Sequence, residues 1–115
     1  MEDRKMKRQG DVIFIPTTTK PETRPLPPDA RGMVVAEGEF SGHHHAITGD
    51  AALMAFADTS GQMFAEVGPG GARVEVVGGG TAEFPRHTPI SLEPGMYRIT
   101  VQQTWTSGRA QRVAD

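Results

Sequence analysis

The stretch Tyr97-Arg98-Ile99-Thr100-Val101-Gln102-Gln103-Thr104-Trp105 carries the clearest structural pattern in this 115-residue chain. Apolar and polar side chains alternate along it, which is the pattern of a β-strand with one buried face. The buried face is predicted to carry Tyr97, Ile99, Val101 and Trp105. The opposite face is predicted to carry Arg98, Thr100, Gln102 and Thr104.

Shorter apolar segments of the same kind recur along the chain between turn-forming residues. The chain contains 14 Gly and 9 Pro, and no segment shows a long helical period. The other predicted strands cover residues 11–15, 33–36, 43–47, 52–57, 62–67 and 73–76, and the region of residues 81–89 is predicted to be a sheet edge or a kinked strand. About seven to nine short strands, spaced roughly 8–12 residues apart, predict an all-β fold, either a single small β-barrel or a β-sandwich.

The regions between and beyond these strands complete the predicted organisation. Turns are expected at 49–50, 58–61 and 68–71, and the proline-rich residues 16–31 are expected to be a surface connection that joins no sheet. We therefore predict a charged N-terminal arm over residues 1–9, one domain over 10–106 and a polar C-terminal tail over 107–115.

Composition excludes several classes of function. The chain has no cysteine, so disulfides, iron–sulfur clusters and thiolate zinc sites are ruled out. The net charge of −2 and the low aromatic content argue against nucleic acid as a partner. No apolar run is long enough for a membrane span, and the glycine-rich segments lack the residues of a phosphate-binding loop, so we expect neither a membrane partner nor a nucleotide cofactor. We expect a soluble cytoplasmic protein, or a virion component.

A histidine cluster is the strongest functional signal. His43, His44 and His45 are consecutive, and the fourth histidine of the chain is His87. In a strand, His43 and His45 share one face and His44 lies on the other. Three imidazoles from His43, His45 and His87 would suit a divalent transition metal such as Zn, Fe, Mn or Ni.

The acidic residues Glu37, Glu39 and Asp50 flank the cluster and are candidate supporting carboxylates or a general base. Two other interpretations stay open at this point. The histidines can be a polar strand end that hydrogen-bonds its own loop, or a surface that responds to pH or binds a partner. The sequence assigns no catalytic residue and leaves open whether the protein is an enzyme.

Several blocks of the chain resemble a family of small, uncharacterised bacterial and phage-encoded proteins. The blocks are residues 9–12 (Gln-Gly-Asp-Val), 36–45 with its Gly-His-x-His, 87–99 with its His-x-Pro-Ile, Gln103 and 112–115. The resemblance implies that His43, His45 and His87 occupy motif positions and that His44 is variable. Pro85-Arg86 replaces an acidic pair that the resemblance leads us to expect.

The His-x-His with a later histidine is also similar to cupins, which are small double-sheet barrels that bind a metal. The glutamate that cupins place soon after His-x-His is missing, because the first acidic residue here is Asp50. Two functions follow as hypotheses. The first is a metal-binding β-domain, and the second is a non-enzymatic phage virion or assembly protein that forms a homo-oligomer or binds an assembly partner.

Overall fold

The computed structural model describes residues 4–18, 22–37, 44–56, 62–78 and 88–101, and the backbone of 103–106 and 109–112. All regular structure in these residues is β-strand, which confirms the all-β prediction. The strands are β1 (Lys7–Gln9), β2 (Val12–Thr17), β3 (Thr23–Pro25), β4 (Met33–Glu37), β5 (His44–Phe56), β6 (Met63–Val77), β7 (Ile90–Leu92), β8 (Gly95–Val101), β9 (Gln103–Thr106) and β10 (Arg109–Arg112).

Eight of these strands form one antiparallel sheet. The main path runs β1-β2-β8-β6-β5-β3, while β4 also pairs with β5 and β7 also pairs with β6. The strands β9 and β10 pair with each other in a separate two-stranded sheet. Across the described residues the eight-stranded sheet does not close on itself, so a barrel is not shown.

A long hairpin of β5 and β6 organises the sheet. Its first half pairs residues 44–49 with 72–77, and its second half pairs 51–55 with 63–67. The half around residues 44–47 is flanked by β4, and the half around 54–56 is flanked by β3. On the other side of the hairpin, β7 pairs with residues 72–74 and β8 with residues 63–67. One hairpin therefore joins two groups of strands.

A glycine-rich bend separates the two halves of this hairpin. The register shifts between Gly49 and Ala51, where a single residue of β5 lies opposite residues 68–71 of β6. Gly49 has a φ of 109°, and a Cβ atom there would lie 2.9 Å from the carbonyl oxygen of Gly71. The Asp50 carboxylate accepts a hydrogen bond from the Gly70 amide at 3.0 Å and closes the bend.

This bend corrects the predicted turns at 49–50 and 68–71. Both segments lie inside continuous strands, so β5 and β6 are each long where two short strands were expected. The physical reason is that glycine permits a bulge as readily as a turn, and a bulge bends a strand without ending its ladder.

The proline-rich segment was also predicted wrongly in part. Thr23–Pro25 forms β3 and pairs with Met54–Phe56 of β5. Because β3 lies at the edge of the sheet, Pro25 is tolerated there. Pro16 lies in β2 opposite Tyr97, beyond the point where the pairing of β1 ends at Phe14.

The hydrophobic core is formed mainly by side chains of β2, β5, β6 and β8. The alternation predicted around Tyr97 is confirmed up to Ile99, since both side chains are buried and Arg98 is exposed. The buried apolar cluster contains Val12, Phe14, Val35, Ile47, Leu53, Ala65, Val67, Ala72, Val74, Leu92, Tyr97 and Ile99. The strand predicted to continue to Trp105 is divided in the structure into β8 and β9, which contains Trp105 and pairs with β10. Residue 102 between them lies outside the described residues, so a continuous buried face up to Trp105 stays a prediction.

Both terminal segments contain strands. In the predicted arm, Lys7–Gln9 forms β1 and pairs with β2. The Arg4 guanidinium lies 4.8 Å from the centre of the Tyr97 ring and donates hydrogen bonds to the carbonyl oxygens of Met96 at 2.8 Å and Thr17 at 3.1 Å. In the predicted tail, Arg109–Arg112 forms β10.

Candidate functional site

His45 is completely buried at the start of the long hairpin. It pairs with Ala36 of β4 and with Val76 of β6, and its Nδ1 atom lies 2.9 Å from Oε1 of Gln9 in β1. A buried polar ring requires such a partner, because burying a polar group without one costs about 1–3 kcal/mol. The contact also joins strands that are far apart in sequence.

The Gln9 amide fixes which nitrogen of His45 carries the proton. Its Nε2 atom donates two hydrogen bonds of 3.0 Å, to the carbonyl oxygens of Val74 and Thr88. Both carbonyls only accept, so the NH₂ group of Gln9 must face them and Oε1 must face His45. Because Oε1 also only accepts, Nδ1 of His45 carries the hydrogen. In the neutral ring, Nε2 then carries the lone pair, which is the form that binds a metal.

The same amide connects His45 to the chain next to His87. Thr88 follows His87 in sequence, and its carbonyl oxygen and the His45 ring bind opposite ends of the Gln9 side chain. Gln9 was not recognised from the sequence as part of the site. Its position immediately before Gly10-Asp11, in a block of the family resemblance, was the available signal.

His44 lies on the opposite side of β5. It pairs with Glu37 of β4 and Val77 of β6, and it is nine-tenths buried. Its Nε2 atom is enclosed and has no hydrogen-bond partner among the described residues. The two consecutive histidines therefore have different environments, as the alternation along a strand requires.

The candidate carboxylate Glu37 lies directly opposite His44, on the same face of the sheet. Both of its oxygens accept hydrogen bonds from the Arg31 guanidinium, at 2.9 and 2.7 Å, and Arg31 also bonds Asp29 at 3.1 Å. These bonds from Arg31 hold the pKa of the Glu37 carboxyl below its ordinary value. The pKa of Asp29 is lowered by the backbone amide of Arg31 and then by its side chain. The pKa of the Arg31 guanidinium is raised above its ordinary value, mainly by its hydrogen bonds to Glu37.

The candidate carboxylate Asp50 lies at the bend, where it bonds the Gly70 amide. Five residues of extended strand, on the order of 15 Å, separate it from His45. The structure thus brings neither Glu37 nor Asp50 to the His45 side chain. His43, Glu39 and His87 lie outside the described residues. Within the part of the chain that is described, no group of three or more His, Cys, Asp or Glu residues is arranged to bind a metal.

A family model described as a domain of unknown function, DUF8820, matches residues 8–102. The chain belongs to this family. The DUF8820 segment contains Gln9, His45 and β2 to β8, whereas the two-stranded sheet of β9 and β10 lies beyond it. No curated protein and no solved structure matches the chain significantly. No helix in the described residues is long and apolar enough to cross a membrane.

Proposed function

We propose that this DUF8820 domain binds a divalent transition metal through Nε2 of His45, with His43 and His87 as the other two imidazole ligands. The candidate ions are Zn, Fe, Mn and Ni, of which imidazole nitrogen suits Zn, Fe and Ni best. The observation that carries the proposal is the hydrogen bond between His45 and Gln9, because it supports the tautomer that a metal requires.

Metal-ligating histidines almost always donate their second ring N–H to a carboxylate, a carbonyl or a water. Gln9 supplies such a carbonyl group, and its own orientation is fixed by two further hydrogen bonds to Val74 and Thr88. The ring of His45 is therefore held in one orientation before any metal binds. This arrangement lowers the entropy cost of binding and supports the choice of His45 as the central ligand.

A metal-free explanation of the same geometry is a structural histidine that links β1 to β5. Metal titration separates the two explanations. Untagged protein is treated with a chelator and titrated with Co²⁺, and the visible absorption and the bound-metal stoichiometry are measured. Co²⁺ is the probe because its absorption bands report coordination geometry. We expect one equivalent to bind with a saturable spectrum.

Variants of consecutive histidines provide the matched control. His45→Gln, His43→Gln and His87→Gln should each weaken Co²⁺ binding by at least about tenfold. His44→Gln should bind as the parent does, because His44 lies on the other side of β5. Circular dichroism confirms that each variant is folded. Binding below one-tenth of an equivalent, or equal loss in His44→Gln and His45→Gln, would contradict the proposal.

A second candidate function is a non-enzymatic assembly role, in a phage virion or in another complex of this chain. The observation that favours it is the sheet of β9 and β10, which pairs with no other strand among the described residues. A two-stranded sheet by itself is only marginally stable in water. Such a sheet gains stability by packing against a second subunit.

Light scattering on the full chain tests the assembly role. We expect a mass of at least twice 12.4 kDa. Trp105 is the only tryptophan and lies in β9, so its fluorescence should shift to shorter wavelength as the protein concentration rises. A monomer with unchanged fluorescence across micromolar concentrations would contradict a homo-oligomer.

A further inference from the structure

A groove of about 390 Å³ lies at the bend of the long hairpin, apart from the Gln9–His45 network. Its lining comes from the bend in β5 and β6 and from β7, and consists of Thr48, Gly49, Gly70, Gly71, Ala72, Arg73, Ser91 and Leu92. The volume falls at the lower end of the range for small-molecule pockets. The groove is therefore large enough for a small metabolite.

The bend creates this groove by leaving backbone uncovered. Gly49 and Gly71 have φ values of 109° and 73°, which side chains rarely adopt, so both positions favour glycine. A Cβ at Gly71 would meet nothing closer than the Leu92 carbonyl oxygen at 3.6 Å. The space above Gly71 is thus open.

Three polar side chains form a row across the groove. Arg73 of β6 lies directly opposite Thr48 of β5 on one side and Ser91 of β7 on the other. Directly opposite residues project from the same face of a sheet, and adjacent strands are about 4.8 Å apart. The Arg73 side chain therefore leaves the sheet between the side chains of Thr48 and Ser91, and all three residues are exposed.

The carboxylate that lies beside Arg73 among the described residues, that of Glu75, leaves the Arg73 guanidinium accessible. Glu75 lies two residues along the same strand, at 3.7 Å, which is longer than a hydrogen bond. Both side chains are substantially exposed, at 58% and 38%, so this ion pair is weak. An external carboxylate that accepts two parallel hydrogen bonds from Arg73 would make the stronger contact.

We propose that this groove binds a small organic carboxylate. Arg73 binds the two carboxylate oxygens as a fork, and the hydroxyls of Thr48 and Ser91 donate to the same oxygens from either side. A single cation in the row matches a single negative charge, which favours a carboxylate over a phosphate dianion. The rest of the ligand lies along the glycine backbone and the side chains of Ala72 and Leu92.

Nuclear magnetic resonance of ¹⁵N-labelled full-length protein tests the groove. Metal is first removed with a chelator, and the chelator is then removed by dialysis, so that the result depends neither on a metal at His45 nor on the chelator's own carboxylates. Acetate, inorganic phosphate and chloride are titrated separately at matched ionic strength. We expect saturable shifts of the Thr48, Arg73 and Ser91 amides and of the Arg73 side-chain Nε with acetate. Phosphate should bind more weakly, and chloride should give no saturable shift.

Substitutions identify the groups that bind. Arg73→Gln should raise the acetate Kd by at least about tenfold, and Thr48→Val or Ser91→Ala by roughly fivefold each. Arg98→Gln is the control, because Arg98 is an exposed arginine of β8 outside the groove. Shifts that never saturate, tighter binding of phosphate than of acetate, or equal effects of Arg73→Gln and Arg98→Gln would overturn the proposal.

Discussion

His44 and His45 are adjacent in sequence and both are buried, yet they differ in what surrounds them. The His45 ring bonds Gln9 inside a network that reaches Val74 and Thr88. The His44 ring has an Nε2 atom with no hydrogen-bond partner in the described structure, and it lies beside the exposed ion pairs of Arg31. Burial alone therefore does not distinguish the two histidines. A fixed proton position and a fixed ring orientation distinguish the His45 side from the His44 side.

Among the substitutions that test the difference between His44 and His45, Gln9→Leu is expected to reduce the free energy of unfolding most. The substitution leaves the Val74 and Thr88 carbonyls and the His45 Nδ1 without their partner, so the free energy of unfolding should fall by about 3 kcal/mol or more. Urea denaturation measures it. Gln62→Leu is the control, because Gln62 also donates to two carbonyls, those of Met63 and Ile99, but is only half-buried. Equal losses in the two variants would show that the buried network has no special contribution.

A smaller but more specific effect comes from replacing each histidine with leucine. His45→Leu leaves Oε1 of Gln9 buried without its partner and should cost about 2 kcal/mol of unfolding free energy. His44→Leu removes an enclosed nitrogen that has no partner among the described residues, so stability should stay within about 1 kcal/mol of the parent or rise. Thermal denaturation of the two variants in parallel decides the matter. A larger loss for His44→Leu than for His45→Leu would reverse the comparison.

At neutral pH, Arg31→Gln is expected to change the stability of the protein least. The Arg31, Asp29 and Glu37 side chains are all about half-exposed, and water and salt screen such ion pairs. The urea midpoint of the variant should therefore lie close to that of the parent, and closer still in 1 M NaCl. A loss as large as that of Gln9→Leu would mean that this exposed network stabilises the fold as strongly as the buried one.

The same network predicts the sign of a pH dependence. Arg31 lowers the pKa values of Glu37 and Asp29 in the folded protein. Their contribution to stability is thus present above the pKa values of the unfolded chain and is lost as the pH falls through the lower folded values. The small difference between the parent and Arg31→Gln should disappear during an acid titration from pH 6 to pH 2, followed by urea midpoints. A difference that grows on acidification would contradict this assignment.

The sequence predicts local features of the fold well. Alternation around Tyr97 and Ile99, and around Val74 and Val76, correctly identified inward-facing residues, because period two depends only on neighbouring residues. The alternation did not predict that β5 and β6 continue as strands across their glycine-containing segments, because Gly49 and Gly71 permit either a turn or a bulge. Only the pairing of the whole hairpin decides between these outcomes.

The candidate site was predictable only in its local part. The consecutive histidines indicated opposite faces for His44 and His45, as the alternation of a strand requires. The partner Gln9 is 36 residues from His45 in sequence, and no local pattern connects them. The engagement of Glu37 by Arg31 was equally hidden, because it depends on how the chain before β4 folds back.

The proton position on His45 is the most direct test of the account. Long-range ¹H–¹⁵N correlation spectra of the metal-free protein distinguish the two neutral tautomers, and the His45→Gln spectrum assigns the His45 signals. We expect a hydrogen on Nδ1 and no hydrogen on Nε2. A hydrogen on Nε2 and a bare Nδ1 would contradict the role of Gln9 and, with it, the proposed metal ligand.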